Sequence, residues 1–447
     1  MWYGKGDLSM RQEHEPKAWL GLAAGALGAA GLLALVLAAS RAPGAENWLP
    51  SGPDFFKKGL VTHVVFSFQV WLLAMLAALA ARVAPAATRA GALVPLALSG
   101  LGCVLLLVPT LAGWGRASLN NYVPVLIHPL FYAGLGLVAA GVASVAIRPL
   151  MVWRSLDTVG FGIACAGLTL VAALVCFGVA AADPGLGEDP VTANERLFWG
   201  GGHILQFVNA QLAMIGWLVA AGRAFGRAPP NPRVIRLCFA ALALAAWIGP
   251  VLEATHASDD LALRHAFTGL FQWVLPAPPA IVMMIAVWPL MARGPKVGDP
   301  VAGRALFLSL AVFGLGGLAG FALGEGDTRT PSHYHAMIGG VNLALMGLIH
   351  LWLLPLPASR WLTAQYWLYG GGQLLHAAGF YLAGLAGVAR KTAGAAQGLD
   401  SAVKLAAMGI VGIGGAIAVV GGVIFVVGLM ARLGAQPPQR ADIVDPH

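Results

Sequence analysis

The sequence predicts an all-α integral membrane protein, one domain of twelve transmembrane helices spanning residues 1–447. Three observations predict it. Hydrophobic residues make up 58% of the chain and charged residues 10%, with a mean hydropathy of +0.77. Apolar runs recur along the whole length, each longer than the ~20 residues that a bilayer core requires. Lys and Arg gather on one side of the alternation that these runs impose.

The runs are taken in chain order. The first, 18–39, follows a polar N-terminal tail, 1–17, with no signal-peptide pattern. The second, 59–83, opens near His63. The third and fourth, 91–114 and 121–147, enclose a short connection, and the fourth carries His128 beside Pro129. The fifth, 157–181, holds Cys165 and Cys176. The sixth, 196–222, places His203 about two turns inside. The seventh, 234–256, carries Glu253 and ends at His256. The eighth, 266–291, begins after His265 and has no Lys, Asp or Glu between Trp273 and Pro289. The ninth is 302–323. The tenth, 332–354, opens on Ser332-His333-Tyr334-His335 and has His350 near its other end. The eleventh, 362–388, carries His376. The twelfth, 402–431, precedes a tail, 434–447, that reads as disordered.

With twelve spans, both termini share one side with the loops after the even-numbered spans up to the tenth. That side holds most of the Lys and Arg, including Arg223, Arg227, Arg233 and Arg236, and fewer than half of the acids. The positive-inside rule makes it cytoplasmic. The expected location is a bacterial cytoplasmic membrane. The net charge of +8 follows from this topology and calls for no nucleic-acid partner. The four cysteines form no Cys-x-x-Cys, which argues against c-type haem attachment, a thiolate metal site or a disulfide framework.

Five histidines then fall at one depth. His63, His203, His256, His333 and His335 all lie in the periplasmic third of four helices. Ionisable residues inside a membrane are costly and mark functional sites. His333 and His335 point about 200° apart, since each helical residue turns about 100°. They cannot grip one metal together, but they can serve two metal centres on opposite sides of one helix. His376, mid-membrane, reads as a packed polar residue or part of a proton path, and His128 reads as structural.

The chain resembles the catalytic subunit of the haem–copper oxidase superfamily, which includes cytochrome oxidases and nitric oxide reductases. Leu197-Phe198-Trp199-Gly200-Gly201-Gly202-His203 is similar to the family's Leu-Phe-Trp-x-x-Gly-His. Asp327-Thr328 before Ser332-His333-Tyr334-His335 resembles its Asp-Thr leading into His-x-His. Val61-Thr62-His63 resembles the segment of the low-spin haem histidine. Gly384 to Lys391 resembles Gly-Leu-x-Gly-x-x-Arg-Arg. The resemblance implies a low-spin haem between His63 and His335, a high-spin haem on His333, and a non-haem metal on His203 and His256. It implies haem propionates neutralised by Arg390 and Lys391, with the plain alternative that these two anchor the interface. It places Trp199 one turn from His203 and Asp327 in the propionate region.

Three departures from the family's oxygen reductases direct the functional reading. The fourth residue after His203 is Phe207 where the common oxygen reductases have tyrosine, although some take a tyrosine from another helix. Ala257 follows His256 where the family has a second histidine. A carboxylate can take the place of the missing nitrogen ligand, or carry protons. Glu253, three residues before His256, shares its helical face, and Glu-x-x-His is a spacing used in iron carboxylate sites. Asp260 is next, and Asp259 qualifies if the helix continues. Gln206 is a candidate to hydrogen-bond a bound ligand. Finally, span eight lacks the proton-carrying lysine of many oxygen reductases.

The expectation is a nitric oxide reductase catalytic subunit. It would carry two haems and one non-haem metal, iron if Glu253 is a ligand and copper if the site is all nitrogen. Its partner would be a periplasmic electron donor, a c-type cytochrome or a copper-domain protein. The alternatives are a terminal oxygen reductase with an atypical active site, and a haem electron-transfer protein without a non-haem metal.

Overall fold

A computed structural model describes residues 5–39, 52–293, 297–392 and 397–435. Twelve helical rods run through it. They are α1 (Lys5–Ala39), α2 (Asp54–Val83), α3 (Arg89–Leu111), α4 (Pro129–Met151), α5 (Thr158–Ala181) and α6 (Trp199–Phe225). They continue as α7 (Pro232–Thr255), α8 (Leu261–Ala292), α9 (Pro300–Gly320), α10 (Arg329–Leu353), α11 (Arg360–Leu385) and α12 (Ala402–Gly434). Among the described residues, eleven are long and apolar enough to cross a membrane. The remaining rod, α11, is 26 residues long and carries Gln365, Gln373 and His376. Those polar groups lower its hydropathy without shortening it. The protein is an all-α, multi-pass membrane bundle.

The connections sort into two ends, as twelve spans require. At one end Lys391 Nζ donates to Leu119 O (2.8 Å), Asn120 Nδ2 to Asn194 O (3.3 Å), and Thr328 N to Val388 O (3.0 Å). There too Ser258 N donates to an Asp183 carboxylate oxygen, joining the ends of α5 and α7. At the other end Arg148 Nη1 meets Glu15 Oε1 (2.6 Å), and Gly298 N donates to Ala224 O (2.8 Å). His63, His203, His256, His333 and His335 all lie toward helix ends on the first of these sides.

One sequence expectation is corrected, at the start of span four, and the two ends of the chain gain detail. The polar tail 1–17 is helical from Lys5, since Pro16 falls within α1 without ending it. The predicted start of span four, 121–128, is not helical. Arg116–Ser118 (β1) pairs antiparallel with Val125–Ile127 (β2), and α4 begins only at Pro129. Positive φ at Gly113 and Gly115 turns the chain before β1. The residue before a proline is biased out of the α region, so His128 is extended and caps α4 by accepting from Leu130 N. Its ring stacks on Trp114, in keeping with a structural role. At the C-terminus α12 runs to Gly434, so the predicted disordered tail lies, from residue 436, outside the described residues.

The helices approach closely where glycine removes the side chain. A Cβ at Gly372 or Gly379 of α11, or at Gly414 or Gly421 of α12, would strike the backbone of the facing helix. Small residues of this kind are how membrane helices associate without a hydrophobic driving force. Single π-turns interrupt α2 at Val65–Val70 and α8 at Leu270–Val274, and another ends α10 at Ile349–Leu353. The first begins two residues after His63. The second carries Phe271, which lies against His203. Such insertions often accompany functional sites because they re-aim the following side chains.

Candidate functional site

His203 lies one turn into α6 and is 2% exposed. Three glycines precede it, and each admits a different neighbour. A Cβ at Gly200 would collide with Glu253 Oε1 and Phe267, at Gly201 with Phe177, and at Gly202 with Tyr122. The run therefore lets a carboxylate from α7, rings from α5 and α8, and a phenol from the β1–β2 connection reach the turn that carries the imidazole. Trp199, Phe267, Phe271 and Tyr122 surround the ring, at centroid distances of 4.8, 5.5, 5.6 and 4.2 Å. Arg264 covers the outer face of Trp199 at 5.1 Å.

The hydrogen bonds fix the tautomer. His203 Nδ1 lies 2.8 Å from Trp199 O, and a carbonyl only accepts, so Nδ1 carries the proton. In the neutral ring Nε2 is then a lone pair, and Tyr122 OH, 2.9 Å away, donates to it. Burial pushes the Tyr122 phenol above its ordinary pKa, so it remains a donor at neutral pH. Gln69 Nε2 of α2 donates to Tyr122 O (2.8 Å) and holds the connection in place. The sequence reading missed Tyr122, because 121–128 looked like the start of a helix. The polar pair Asn120-Asn121 before it was the available signal. Tyr122→Phe leaves a buried acceptor unpaired, at an expected cost of about 1–3 kcal/mol in thermal or detergent unfolding. Gly202→Val, which displaces the whole Tyr122 side chain, should cost more.

Glu253 is 5% exposed, and its Oε1 is buried without a hydrogen-bond partner. With Asp183, Thr255 and His256 it lines an open cleft of about 510 Å³. His256, however, does not share its helical face. The helix ends at Thr255, and His256 is extended at φ −130°, ψ 145°. The periodicity that pairs i with i+3 stops one residue too early. His256 Nδ1 instead meets Leu252 O at 3.1 Å. Asp260 is exposed and caps the start of α8 by accepting from Ala262 N, and Asp259 is also exposed outside the helix. Gln206 Nε2 bonds Gly202 O within α6 (3.2 Å), and its Oε1 accepts from Asn209.

His333 and His335 diverge as their spacing requires. His333 Nδ1 donates to Gly316 O of α9 (2.7 Å), and Gly320 lies under its ring, where a Cβ would come within 2.8 Å of Cε1. His335 faces α11, stacked on Phe380 at 5.3 Å. His63 Nδ1 donates to Ala30 O of α1 (2.8 Å). His350, near the other end, is buried against Tyr366 and Phe425 as part of the core.

At the mouth of α10, Asp327 pairs with Arg329 (2.7 Å), a cation that the sequence reading passed over. Hydrogen bonds from the Arg329 side chain hold the Asp327 carboxyl below its ordinary pKa. The pair therefore contributes fully above the ordinary Asp value, about 3.9, and is lost as pH falls through the lowered one. Hydrogen-exchange protection at residues 324–332, taken relative to the intrinsic exchange rate at each pH, should stay constant from neutral down to about pH 5, and should be lower over that range in Asp327→Asn. Arg390 donates its backbone N–H to Gly326 O (3.0 Å). Lys391 adopts a left-handed φ of 61° while its ammonium ties down Leu119.

No family model matches the chain. It is 24% identical to the uncharacterized protein RP382 of Rickettsia prowazekii (strain Madrid E), over 92% of this chain and 94% of that one. It is 29% identical to an uncharacterized protein of Aquifex aeolicus (strain VF5), over 75% and 83%. Among solved structures, a haem–copper terminal oxidase dimer seen by cryo-electron microscopy matches with a TM-score of 0.72. That match has 15% identity and covers 96% of this chain and 85% of the other. The fold is that of a haem–copper terminal oxidase.

The side chains can be tested against the groups that such a fold implies. Histidines that bind metals ordinarily donate the other ring N–H to a carbonyl or carboxylate. His63, His203 and His333 each give Nδ1 to a backbone carbonyl, which leaves Nε2 as the nitrogen that could face a metal. His63 and His333 suit axial haem ligation in this respect. The non-haem metal is a poorer fit. Among the described residues no three His, Cys, Asp or Glu side chains are grouped to hold an ion. His203, His256 and Glu253 are not gathered into one ligand set, and Tyr122 OH stands at the nitrogen of His203 that a metal would need.

Proposed function

We propose that the protein is the catalytic subunit of a membrane-bound nitric oxide reductase, an oxidoreductase that converts two NO, two electrons and two protons to N2O and water. The observation that carries this reading is Glu253. A buried carboxylate oxygen without a partner, packed against the helical turn of His203 and open to a cleft on its other side, is placed to receive and hand on protons. Buried acids in membrane helices are retained for such work.

In this reading His63 and His335 hold a low-spin haem and His333 a high-spin haem, and the haems, when bound, supply electron transfer and NO binding. The residues do the rest. Ala30 O and Gly316 O fix the rings of His63 and His333 through their Nδ1 protons. The aromatic wall of Trp199, Phe267 and Phe271 excludes water from His203. Glu253 moves protons between the cleft and the interior. Arg329, Arg390 and Lys391 supply positive charge where propionates would lie. The electron donor is a periplasmic partner subunit with a c-type haem or copper site.

One observation favours a second reading, a terminal oxygen reductase. Tyr122 brings a phenol to His203 from a different element and makes up for the missing tyrosine at Phe207. Haem and metal analysis of the purified complex, with NO and O2 turnover measured on one sample, separates the two. N2O formation that falls at least tenfold in Glu253→Gln is expected. Rapid O2 reduction with NO left intact, and sensitive to Tyr122→Phe, would overturn the first reading.

A further inference from the structure

His376 of α11 was open between a packed polar residue and a proton path. In three dimensions its ring meets that of His335 on α10, with centroids 4.8 Å apart and planes at 88°. Phe380 completes the group, stacked on His335 at 5.3 Å and edge-on to His376 at 4.7 Å. On its far side His376 Nδ1 lies 2.8 Å from Val411 O of α12, so Nδ1 is the proton donor there. The glycine seam brings α12 close enough for this bond. A Cβ at Gly414 would strike the His376 backbone, and one at Gly415 would lie 3.0 Å from Nδ1. The imidazole is therefore held from α12 and presented to His335. It uses the same carbonyl anchoring seen at His63, His203 and His333.

A residue wanted only for packing at this point, among Leu374, Leu375 and Ala377, would be aliphatic or phenyl. A second imidazole in direct contact with the first adds a polar edge to an apolar segment, and such costly residues inside membrane helices mark function. The groups that touch a ligating histidine orient it and tune its electron donation.

We propose that His376 is a positioning residue for His335, fixing the orientation of that ring and, through the polar edge of its own, setting the reduction potential of the low-spin haem. This rests on the reading in which His335 binds that haem.

The test uses the whole purified protein and its His335→Ala, His63→Ala, His376→Ala and His376→Phe variants. The readouts are haem content, the electron paramagnetic resonance signal of the oxidised low-spin haem, and its midpoint potential. His335→Ala should lose the low-spin haem. Both His376 variants should keep two haems, with the low-spin redox equilibrium shifted about tenfold, or about 59 mV for one electron, and its resonance signal altered. The high-spin haem should be unchanged. A His376→Phe protein with wild-type potential and signal would reduce His376 to a space-filling ring and sink the proposal. Loss of the low-spin haem in His376→Ala but not in His63→Ala would make His376 an axial ligand and also overturn it. Retention of the low-spin haem in His335→Ala would refute the haem assignment itself, a separate failure.

Discussion

His333→Ala should yield a protein that retains one haem and lacks the other. The low-spin spectrum should survive while the high-spin signals and all NO turnover disappear. The expectation follows from the divergence of His333 and His335. His333 is anchored to Gly316 on α9, whereas His335 lies among α11 side chains, so removing one imidazole leaves the surroundings of the other intact. Haem extraction and optical spectra of the purified variant provide the check. Two haems remaining in His333→Ala would remove the basis for the two-centre arrangement.

Arg148→Ala should destabilise the bundle by about 3–5 kcal/mol, because it strands a buried carboxylate. Arg148 Nη1 meets Glu15 Oε1 at 2.6 Å and its Nη2 donates to Gly91 O at 2.6 Å, while Glu15 Oε2 accepts from Ala86 N at 2.9 Å. Both charged residues are buried. The pair thus ties α1 to α4 and to the start of α3 at the end of the bundle away from the clustered histidines. Removing both charges at once, as Glu15→Gln with Arg148→Met, should recover most of the loss, since replacing a whole buried pair is often nearly neutral. Reversible unfolding in mixed detergent micelles measures both. Haem content per folded molecule should not change. An Arg148→Ala protein as stable as the wild type would mean that the pair is solvated.

Much of this was legible in the sequence because hydropathy reports what a bilayer demands. Long apolar runs had to be helices, and their alternation fixed which histidines share an end. The divergence of His333 and His335 followed from the helical repeat. Tyr122 was not legible. Tyr122 to Ile127 is as apolar as the helix it precedes, and apolarity does not distinguish a buried hairpin from a span. The Asn120-Asn121 pair before it and the His128-Pro129 step after it marked the break. The Glu253–His256 face failed for a related reason. Periodicity holds only while the backbone stays helical, and Thr255 is the last residue for which it does. Arg329 was overlooked because its value lies in reaching back to Asp327, a local pairing that composition cannot display.

The anchoring of the imidazoles bears on how such a protein is made. His63 is held by α1, His333 by α9 and His376 by α12, in each case a helix next to its own in the chain, while His203 and His256 are held by carbonyls one turn earlier. A helical hairpin released into the bilayer during synthesis already contains everything needed to aim its histidine. The orientation of these rings is thus set between helices that are neighbours in the chain, and does not wait for the whole bundle to close. The Tyr122–His203 bond, which joins residues 81 positions apart, is of the other kind and reports the closure itself.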